Sequence, residues 1–122
     1  MKTILTSDCA PKPAGPYSVA VKTGNLIFVS GQIAPDATGD NPVSAQTERI
    51  LSNLKMVVES YGLTLGHVVK ATIFLTDINQ FETMNSIYSK YFRSNPPARS
   101  CVEVSRLPKG ALVEVEVILS AE

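Results

Sequence analysis

The sequence predicts an α+β fold in which two helices cover one face of a mixed six-stranded sheet. Two patterns predict it: six short segments are rich in β-branched and aromatic residues, and two longer stretches repeat apolar residues at three- and four-residue spacing. The length agrees, because 122 residues make one domain and no repeat, linker or low-complexity segment divides the chain. We therefore expect residues 1–122 to form a single domain.

The predicted strands are apolar segments bounded by turn-forming residues. The third is the clearest, since Leu26-Ile27-Phe28-Val29 follows the turn at residues 23–25 and precedes the loop at residues 35–40. The six strands are expected at residues 2–6, 18–22, 26–32, 68–76, 98–104 and 112–120.

The predicted helices are amphipathic and have recognisable ends. In the first, Asn41 is a suitable N-cap with Pro42 in the first turn, and Gly62 is a natural stop. In the second, Pro96 and Pro97 are expected to end the helix. The apolar stripes consist of Val43, Thr47, Ile50, Leu54, Val57 and Tyr61 in the first helix, and of Phe81, Met84, Tyr88 and Tyr91 in the second.

The third strand is apolar on both faces. Alternation places Ile27, Val29 and Ile33 on one face, and Leu26 and Phe28 on the other. Two helices cannot cover both faces of a six-stranded sheet, and an uncovered apolar face needs a partner. The simplest partner is another copy of the same chain, so the pattern predicts a homo-oligomer without giving its copy number.

Composition excludes several classes of protein. Eleven basic and eleven acidic side chains give a formal net charge of +0, which argues against a dedicated nucleic-acid binder. No apolar run approaches the roughly 20 residues of a transmembrane helix, and residues 1–6 lack the apolar region of a signal peptide. Two cysteines, Cys9 and Cys101, are too few for a disulfide framework and are expected to be free thiols. We expect a cytoplasmic protein.

The common catalytic systems and cofactor motifs are missing from the sequence. His67 is the single histidine, it has no partner at metal-ligand spacing, and it is interpreted as a turn residue. Without a second histidine there is no Ser/His/Asp or Cys/His system, and Cys101 would act as a nucleophile only if its pKa were lowered. No dinucleotide or phosphate-binding motif occurs. We expect neither a metal nor a cofactor.

The remaining candidates are polar residues on strands. Arg99 opens the fifth predicted strand, where alternation places Arg99, Cys101 and Glu103 on one face. A guanidinium on a rigid strand suits a carboxylate, which it can bind through two parallel hydrogen bonds. The alternative is a surface arginine in a salt bridge. Glu114 and Glu116 share one face of the last strand, where they are either functional or simply solvated.

Three further candidates have ordinary structural explanations. Ser30 is expected to point away from Ile27, Val29 and Gly31, as a minor satisfied hydroxyl. Tyr17 follows a Gly-Pro turn and would pack its ring, and Asn85 would be a helix-face amide. Taken alone, the residues predict a small globular oligomer with a candidate carboxylate-binding arginine.

The same residues carry a resemblance to the RidA family, also called YjgF/YER057c/UK114. Residues 97–104, Pro-Ala-Arg-Ser-Cys-Val-Glu-Val, followed by residues 106–109, Arg-Leu-Pro-Lys, resemble its signature stretch almost letter for letter. Nearly the whole length matches in order. The other matching segments are residues 10–11, 15–18, 30–33, 38–39, 46–47, 53–54 and 69–74, with Asn85 and Tyr88.

The resemblance implies a chorismate-mutase-like fold assembled as a homotrimer with three clefts between subunits. It implies a cofactor-independent deaminase that hydrolyses 2-iminopropanoate and 2-iminobutanoate, released by pyridoxal-phosphate-dependent dehydratases, to 2-keto acids and ammonia. By the same resemblance, Arg99 would bind the substrate carboxylate and Glu114 would orient or activate the attacking water. The pocket would be lined by Tyr17, Ser30, Gly31, Asn85 and the backbone of Cys101, and Glu116 would be an interface or solvent residue.

The sequence departs from the family pattern at two places, residues 93–96 and Ser105. Residues 93–96 form a shorter segment than in many members, and Pro96 replaces an aromatic residue, so the preferred side chain of the imine stays open. Ser105 stands where alanine is common in the family, and this difference is expected to have no effect on the protein. Two alternatives remain: an endoribonuclease, and a non-catalytic ligand-binding or holdase-like trimer. The presence of both Arg99 and Glu114 favours the enzyme, since binding a small acid needs only the arginine.

Overall fold

The computed structural model describes residues 1–122, and its six strands lie in one sheet in the order β1-β2-β3-β6-β4-β5. Neighbouring strands are antiparallel except β4 and β5, which are parallel, so the predicted mixed sheet is confirmed. Both helices are also confirmed. The elements are β1 (Thr3–Leu5), β2 (Ala20–Thr23), β3 (Leu26–Gln32), α1 (Pro42–Ser60), β4 (Val68–Leu75), α2 (Phe81–Tyr91), β5 (Ala98–Glu103) and β6 (Val113–Ser120).

Helix α1 begins and ends where its sequence predicts. The Asn41 side chain accepts a hydrogen bond from the Ser44 amide at 3.1 Å, and Pro42 is the first helical residue. Gly62 lies just past the end with a φ of 78°, a left-handed conformation that glycine adopts without strain.

Helix α2 ends earlier than predicted, at Tyr91, so the prediction that Pro96 and Pro97 terminate it is wrong. Phe92 leaves the helical conformation, with φ −122° and ψ 66°, and buries its ring in the core. That ring stacks on Tyr88 with centroids 4.6 Å apart. The helix therefore ends at an aromatic side chain that packs inward, several residues before either proline.

Both helices pack on one face of the sheet, and the core lies between them. Val113, Val115 and Val117 of β6 are at most 2% exposed and pack in one cluster with Leu54 of α1 and Met84 of α2. Truncating a leucine at such a site typically costs about 2–5 kcal/mol of unfolding free energy. The alternating valines and glutamates of β6 therefore face in opposite directions, as predicted.

A β-bulge in β3 changes which residues face the core. Val29 pairs with Val117 and Gln32 pairs with Val115, so three steps along β3 match two steps along β6. Gln32 consequently points into the core, where its side-chain Nε2 donates a hydrogen bond to the Ser30 carbonyl at 3.1 Å. The simple alternation is wrong beyond this point: Gly31 turns toward the same face as Glu114, and Ile33 leaves the buried face.

The second face of the sheet is covered by neither helix, and we call it the open face. Leu26 and Phe28 lie on it and are 40% and 41% exposed, which confirms the predicted apolar character of both sides of β3. Ile4 and Val102 extend the apolar surface along the sheet. No helix combines the length and hydropathy that a membrane crossing would need.

Candidate functional site

The open face carries a cavity of about 400 Å³ beside the bulge in β3, which we call the Glu114 cavity. The bulge and β6 supply its floor, the segment before β2 supplies one wall, and the loop after β5 supplies another. Its polar and apolar lining includes Tyr17, Ser30, Gly31, Ile33, Lys109 and Glu114.

Glu114 lies directly over Gly31 in this cavity. A Cβ atom placed on Gly31 would lie 2.8 Å from both Cδ and Oε2 of Glu114, closer than a side-chain atom can approach without displacement. The absence of a side chain at position 31 is therefore what allows the carboxyl group to lie against the strand. The bulge turns this bare backbone toward Glu114.

The surroundings of Glu114 disfavour its charged form. Burial raises the pKa of the carboxyl group above its ordinary value of 4.5, and the nearby Glu116 carboxylate raises it further. A carboxylate with a raised pKa is a better proton acceptor than an exposed one, because basicity increases with pKa. A titratable group whose pKa is raised inside a cavity is a candidate functional residue, and Glu114 is such a group.

Ser30 and Tyr17 are held in the cavity by local hydrogen bonds. The Ser30 hydroxyl donates to the Ser18 carbonyl at 2.6 Å, so its oxygen lone pairs remain available to accept from a ligand. The Tyr17 phenol oxygen accepts from the Ala14 amide at 3.2 Å, which fixes an exposed ring at the cavity wall. The structure thus brings Tyr17, Ser30, Gly31 and Glu114 together.

Arg99 lies in a second cluster at the edge of the sheet, formed with residues of α2. Its Nη1 donates to Oδ1 of Asn85 at 2.6 Å. Its Cζ lies 4.7 Å from the ring centroid of Tyr88 and 5.4 Å from that of Phe81. The alternative of a salt-bridged surface arginine is wrong for this chain, because Arg99 is half-buried and the single ion pair joins Lys55 to Glu59.

Cys101 shares the strand face of Arg99, as alternation predicts. Ala71 and Ile73 of β4, which pair with Arg99 and Cys101, are fully buried on the side of the helices. Burial raises the pKa of the Cys101 thiol, and the Arg99 charge opposes this shift only in part. The thiol is therefore protonated at neutral pH, which does not fit a nucleophile.

The two clusters lie on opposite faces of the sheet. Arg99 contacts α2 on the helix-covered side of β5, whereas Glu114 contacts Gly31 on the open face, and β4 separates their strands. One chain therefore brings Arg99 together with Asn85, and Glu114 together with Tyr17, Ser30 and Gly31, but it does not bring the two clusters together.

His67 takes no part in either cluster. Its Nδ1 accepts from the Thr64 amide at 3.1 Å in a short turn, which confirms its interpretation as a turn histidine.

Sequence reasoning missed several residues around these clusters. Lys12 and Lys109 line the Glu114 cavity, and Lys109 has a positive φ of 58°, which is uncommon for a residue with a side chain. Phe81 and Tyr88 were predicted to lie in the apolar stripe of the second helix, and Tyr88 also matched the family, but no contact with Arg99 was predicted for either. Their spacing of four and three residues from Asn85 was the available signal, because such residues share one helix face.

Two helices on one face of a mixed six-stranded sheet, joined in this order, define an α+β fold. A family model described as Endoribonuclease L-PSP matches residues 7–121. The chain is 48% identical to a RutC family protein of Pyrococcus abyssi, with 99% of this chain and 98% of the relative covered.

Two solved structures are similar over nearly their whole length. A Rid family protein of unknown function from Yersinia pestis superposes with a TM-score of 0.89 at 43% identity, covering 98% of this chain and 99% of that one. Escherichia coli TdcF with bound serine superposes with a TM-score of 0.88 at 37% identity and the same coverage. The chain belongs to the Rid/RutC family, the RidA/YjgF/UK114 group that its sequence resembles.

Proposed function

We propose that this protein hydrolyses reactive 2-imino acids, such as 2-iminopropanoate and 2-iminobutanoate, to 2-keto acids and ammonia without a cofactor. The observation that carries the proposal is the state of Arg99. It is half-buried, fixed by a neutral amide and two aromatic rings, and free of any carboxylate partner. Because a partly buried cation without an anion is unfavourable, an arrangement of this kind suits an anionic ligand.

The chemistry of imine hydrolysis fits the second cluster. An imine carbon is electrophilic, especially once its nitrogen is protonated, so attack by water needs neither a metal nor a covalent nucleophile. Glu114 would accept a proton of the attacking water as the C–O bond forms and the C=N π electrons move to nitrogen. It would then return that proton to the nitrogen, and the C–N bond would break to release ammonia while the hydroxyl loses its proton and becomes the keto oxygen. Ser30, whose hydroxyl hydrogen is already bound to Ser18, would accept a hydrogen bond from the iminium N–H. Fixing the substrate carboxylate on Arg99 would turn the attack into a positioned step.

The separation of the clusters supports a site shared between two chains. We propose a closed homotrimer in which Arg99 and Asn85 of one subunit, with the Cys101 backbone, face the Glu114 cavity of the next. The apolar open face supports association, since Leu26, Phe28 and Ile4 lie exposed on it. Sedimentation equilibrium at micromolar concentration should give about three times the 13.1 kDa chain mass. A fully active monomer would contradict the shared site.

The proposed substrates imply a supplier. Pyridoxal-phosphate-dependent dehydratases release 2-imino acids, so we propose such enzymes as functional partners in the cytoplasm. The structure of TdcF with bound serine supports a ligand of amino-acid size with an α-carboxylate.

The direct test couples a threonine dehydratase to this protein and follows 2-keto acid release in a buffer that slows spontaneous imine hydrolysis. The wild-type protein should accelerate release in proportion to its concentration, and the Arg99→Ala variant should not. An equal release rate with and without the wild-type protein would refute the proposed activity.

A ribonuclease is the second candidate, because the matching family model is described as an endoribonuclease. The balanced charge and the single histidine argue against it. Purified wild-type protein and the Arg99→Ala variant should be incubated with single-stranded RNA. We expect any cleavage to be the same in both, and robust cleavage that disappears in the variant would favour the ribonuclease.

A further inference from the structure

Three residues of α2 contact Arg99 from one face of that helix. Phe81, Asn85 and Tyr88 follow one another at spacings of four and three residues, which places them on consecutive turns. Asn85 accepts a hydrogen bond from the guanidinium, and the two rings lie within cation–π range of its Cζ. The guanidinium is therefore held from several directions by a single rigid element.

All three groups that hold Arg99 are electrically neutral. An asparagine oxygen satisfies one N–H group without cancelling the positive charge, whereas a carboxylate at the same position would form the ion pair that a ligand should form. The aromatic faces attract the cation through their quadrupoles and also leave its charge intact. The arrangement fixes the orientation of the guanidinium while its remaining N–H groups stay available.

The Tyr88 ring, rather than its hydroxyl, is the part that acts on Arg99. The ring is buried and stacks on Phe92 with centroids 4.6 Å apart, so its orientation is fixed by the core. The hydroxyl is buried without a hydrogen-bond partner. A buried hydroxyl without a partner contributes nothing favourable to the fold, so phenylalanine should replace this tyrosine without loss.

We propose that Phe81, Asn85 and Tyr88 form a neutral cradle that positions Arg99 and preserves its charge for the substrate carboxylate. They are positioning residues, and Asn85 acts through Arg99 rather than on the substrate. The cradle restricts a flexible side chain before the ligand arrives, which lowers the entropic cost of binding. The inference rests on the proposed function for the identity of the ligand, while carboxylate binding can be measured without any imine chemistry.

The requirement that the cradle be neutral is tested by Asn85→Asp. The measurement is calorimetry of 2-ketobutyrate binding to the intact protein. The new carboxylate should pair with Arg99 and weaken binding about 10- to 100-fold, the range of a charge-assisted hydrogen bond. Ser86→Asp is the matched control, because it adds the same charge at the adjacent exposed position of α2. This control should change affinity by less than about threefold, since solvent screens an exposed charge.

The aromatic part of the cradle is tested by Tyr88→Leu and Tyr88→Phe. Leucine fills much of the space without a π face and should weaken 2-ketobutyrate binding about 3- to 30-fold. Phenylalanine keeps the ring and should restore affinity to within about twofold of the wild type. Tyr91→Leu removes a ring of the same helix that contacts Glu48 instead of Arg99, and it controls for general loosening of α2.

The outcomes separate the cradle from the proposed activity. Wild-type binding of 2-ketobutyrate together with weak binding by Asn85→Asp and Tyr88→Leu supports the cradle, even if no imine hydrolysis is found. Equal affinity of Asn85→Asp and wild type overturns the cradle, even if imines are hydrolysed. Equal losses in Tyr88→Leu, Tyr88→Phe and Tyr91→Leu also overturn it, because they would reflect α2 stability alone.

Discussion

The two polar clusters of this protein are built in opposite ways. Around Glu114 the neighbouring strand leaves space, because position 31 is a glycine without a side chain. Burial and the nearby Glu116 carboxylate raise the pKa of Glu114. Around Arg99 the helix α2 adds side chains, and these hold a cation that no acid neutralises. In the proposed reaction, the first region would supply the proton acceptor and the second would bind the substrate carboxylate.

This difference shows why one chain is not a complete site for the proposed reaction. A base without a carboxylate anchor cannot orient its substrate, and an anchor without a base cannot activate water. Because the two clusters occupy opposite faces of the sheet, rearranging side chains within one chain cannot join them. In the proposed homotrimer, a second chain would supply the missing half without any change in the fold.

The largest effect is expected from Glu114→Gln, which keeps the shape of the side chain but removes the proton acceptor. Loss of a positioned general base typically lowers the rate by ~10² to 10⁴, or about 3–5 kcal/mol of transition-state stabilisation. Steady-state imine hydrolysis should show this loss, while calorimetry should show near-normal 2-ketobutyrate affinity. Glu116→Gln, two residues along the same strand face, is the matched control and should retain the rate at neutral pH. A wild-type rate in Glu114→Gln would show that Glu114 has no catalytic role and is only a polar residue of the strand.

Mixing two inactive variants tests whether the clusters of different chains meet. Arg99→Ala and Glu114→Gln subunits should each be inactive as pure oligomers. In trimers reassembled from equal amounts of both, about a quarter of the interfaces should combine an intact Arg99 with an intact Glu114. Activity should therefore recover to about a quarter of the wild-type value. If mixing restores nothing although mass measurement shows mixed trimers, both residues act within one chain or not at all.

Arg99→Lys should affect the Arg99 cluster, and with it the binding of the substrate carboxylate. Lysine keeps the charge but loses the planar fork and its two parallel hydrogen bonds. Binding of 2-ketobutyrate and turnover should weaken together, by about 10- to 100-fold. Calorimetry then distinguishes this variant from Glu114→Gln, which loses turnover alone. Unchanged affinity in Arg99→Lys would show that the carboxylate is bound elsewhere.

The smallest effect is expected in the pH dependence. Glu114 acts as a base only when it is ionised, so kcat/KM should rise with pH through a pKa above the ordinary 4.5. The Glu116 carboxylate is the second cause of that raised pKa, after burial. In Glu116→Gln the acid limb of the profile should therefore move to lower pH. A shift to higher pH, or a limb that persists in Glu114→Gln, would show that another group controls the rate.

The sequence pattern was sufficient to predict features that depend only on residues close together in the chain. Asn41, Pro42 and Gly62 specify the ends of α1, because capping and left-handed conformations depend on the residues at those positions. Alternation along β6 separates Glu114 from the buried valines for the same reason. Local pattern failed at the end of α2, since Phe92 leaves the helix to pack against the core.

The sequence by itself determined the α+β class, the two helices, the apolar open face and the residue types available for chemistry. The tertiary structure decided how those residues are grouped. The bulge in β3 depends on pairing with β6, and it places Gly31 beneath Glu114. The contacts of Phe81, Asn85 and Tyr88 with Arg99 depend on how α2 packs against β5. Both are relations between segments distant in the chain, and the periodicity of one segment carries no information about the register of another.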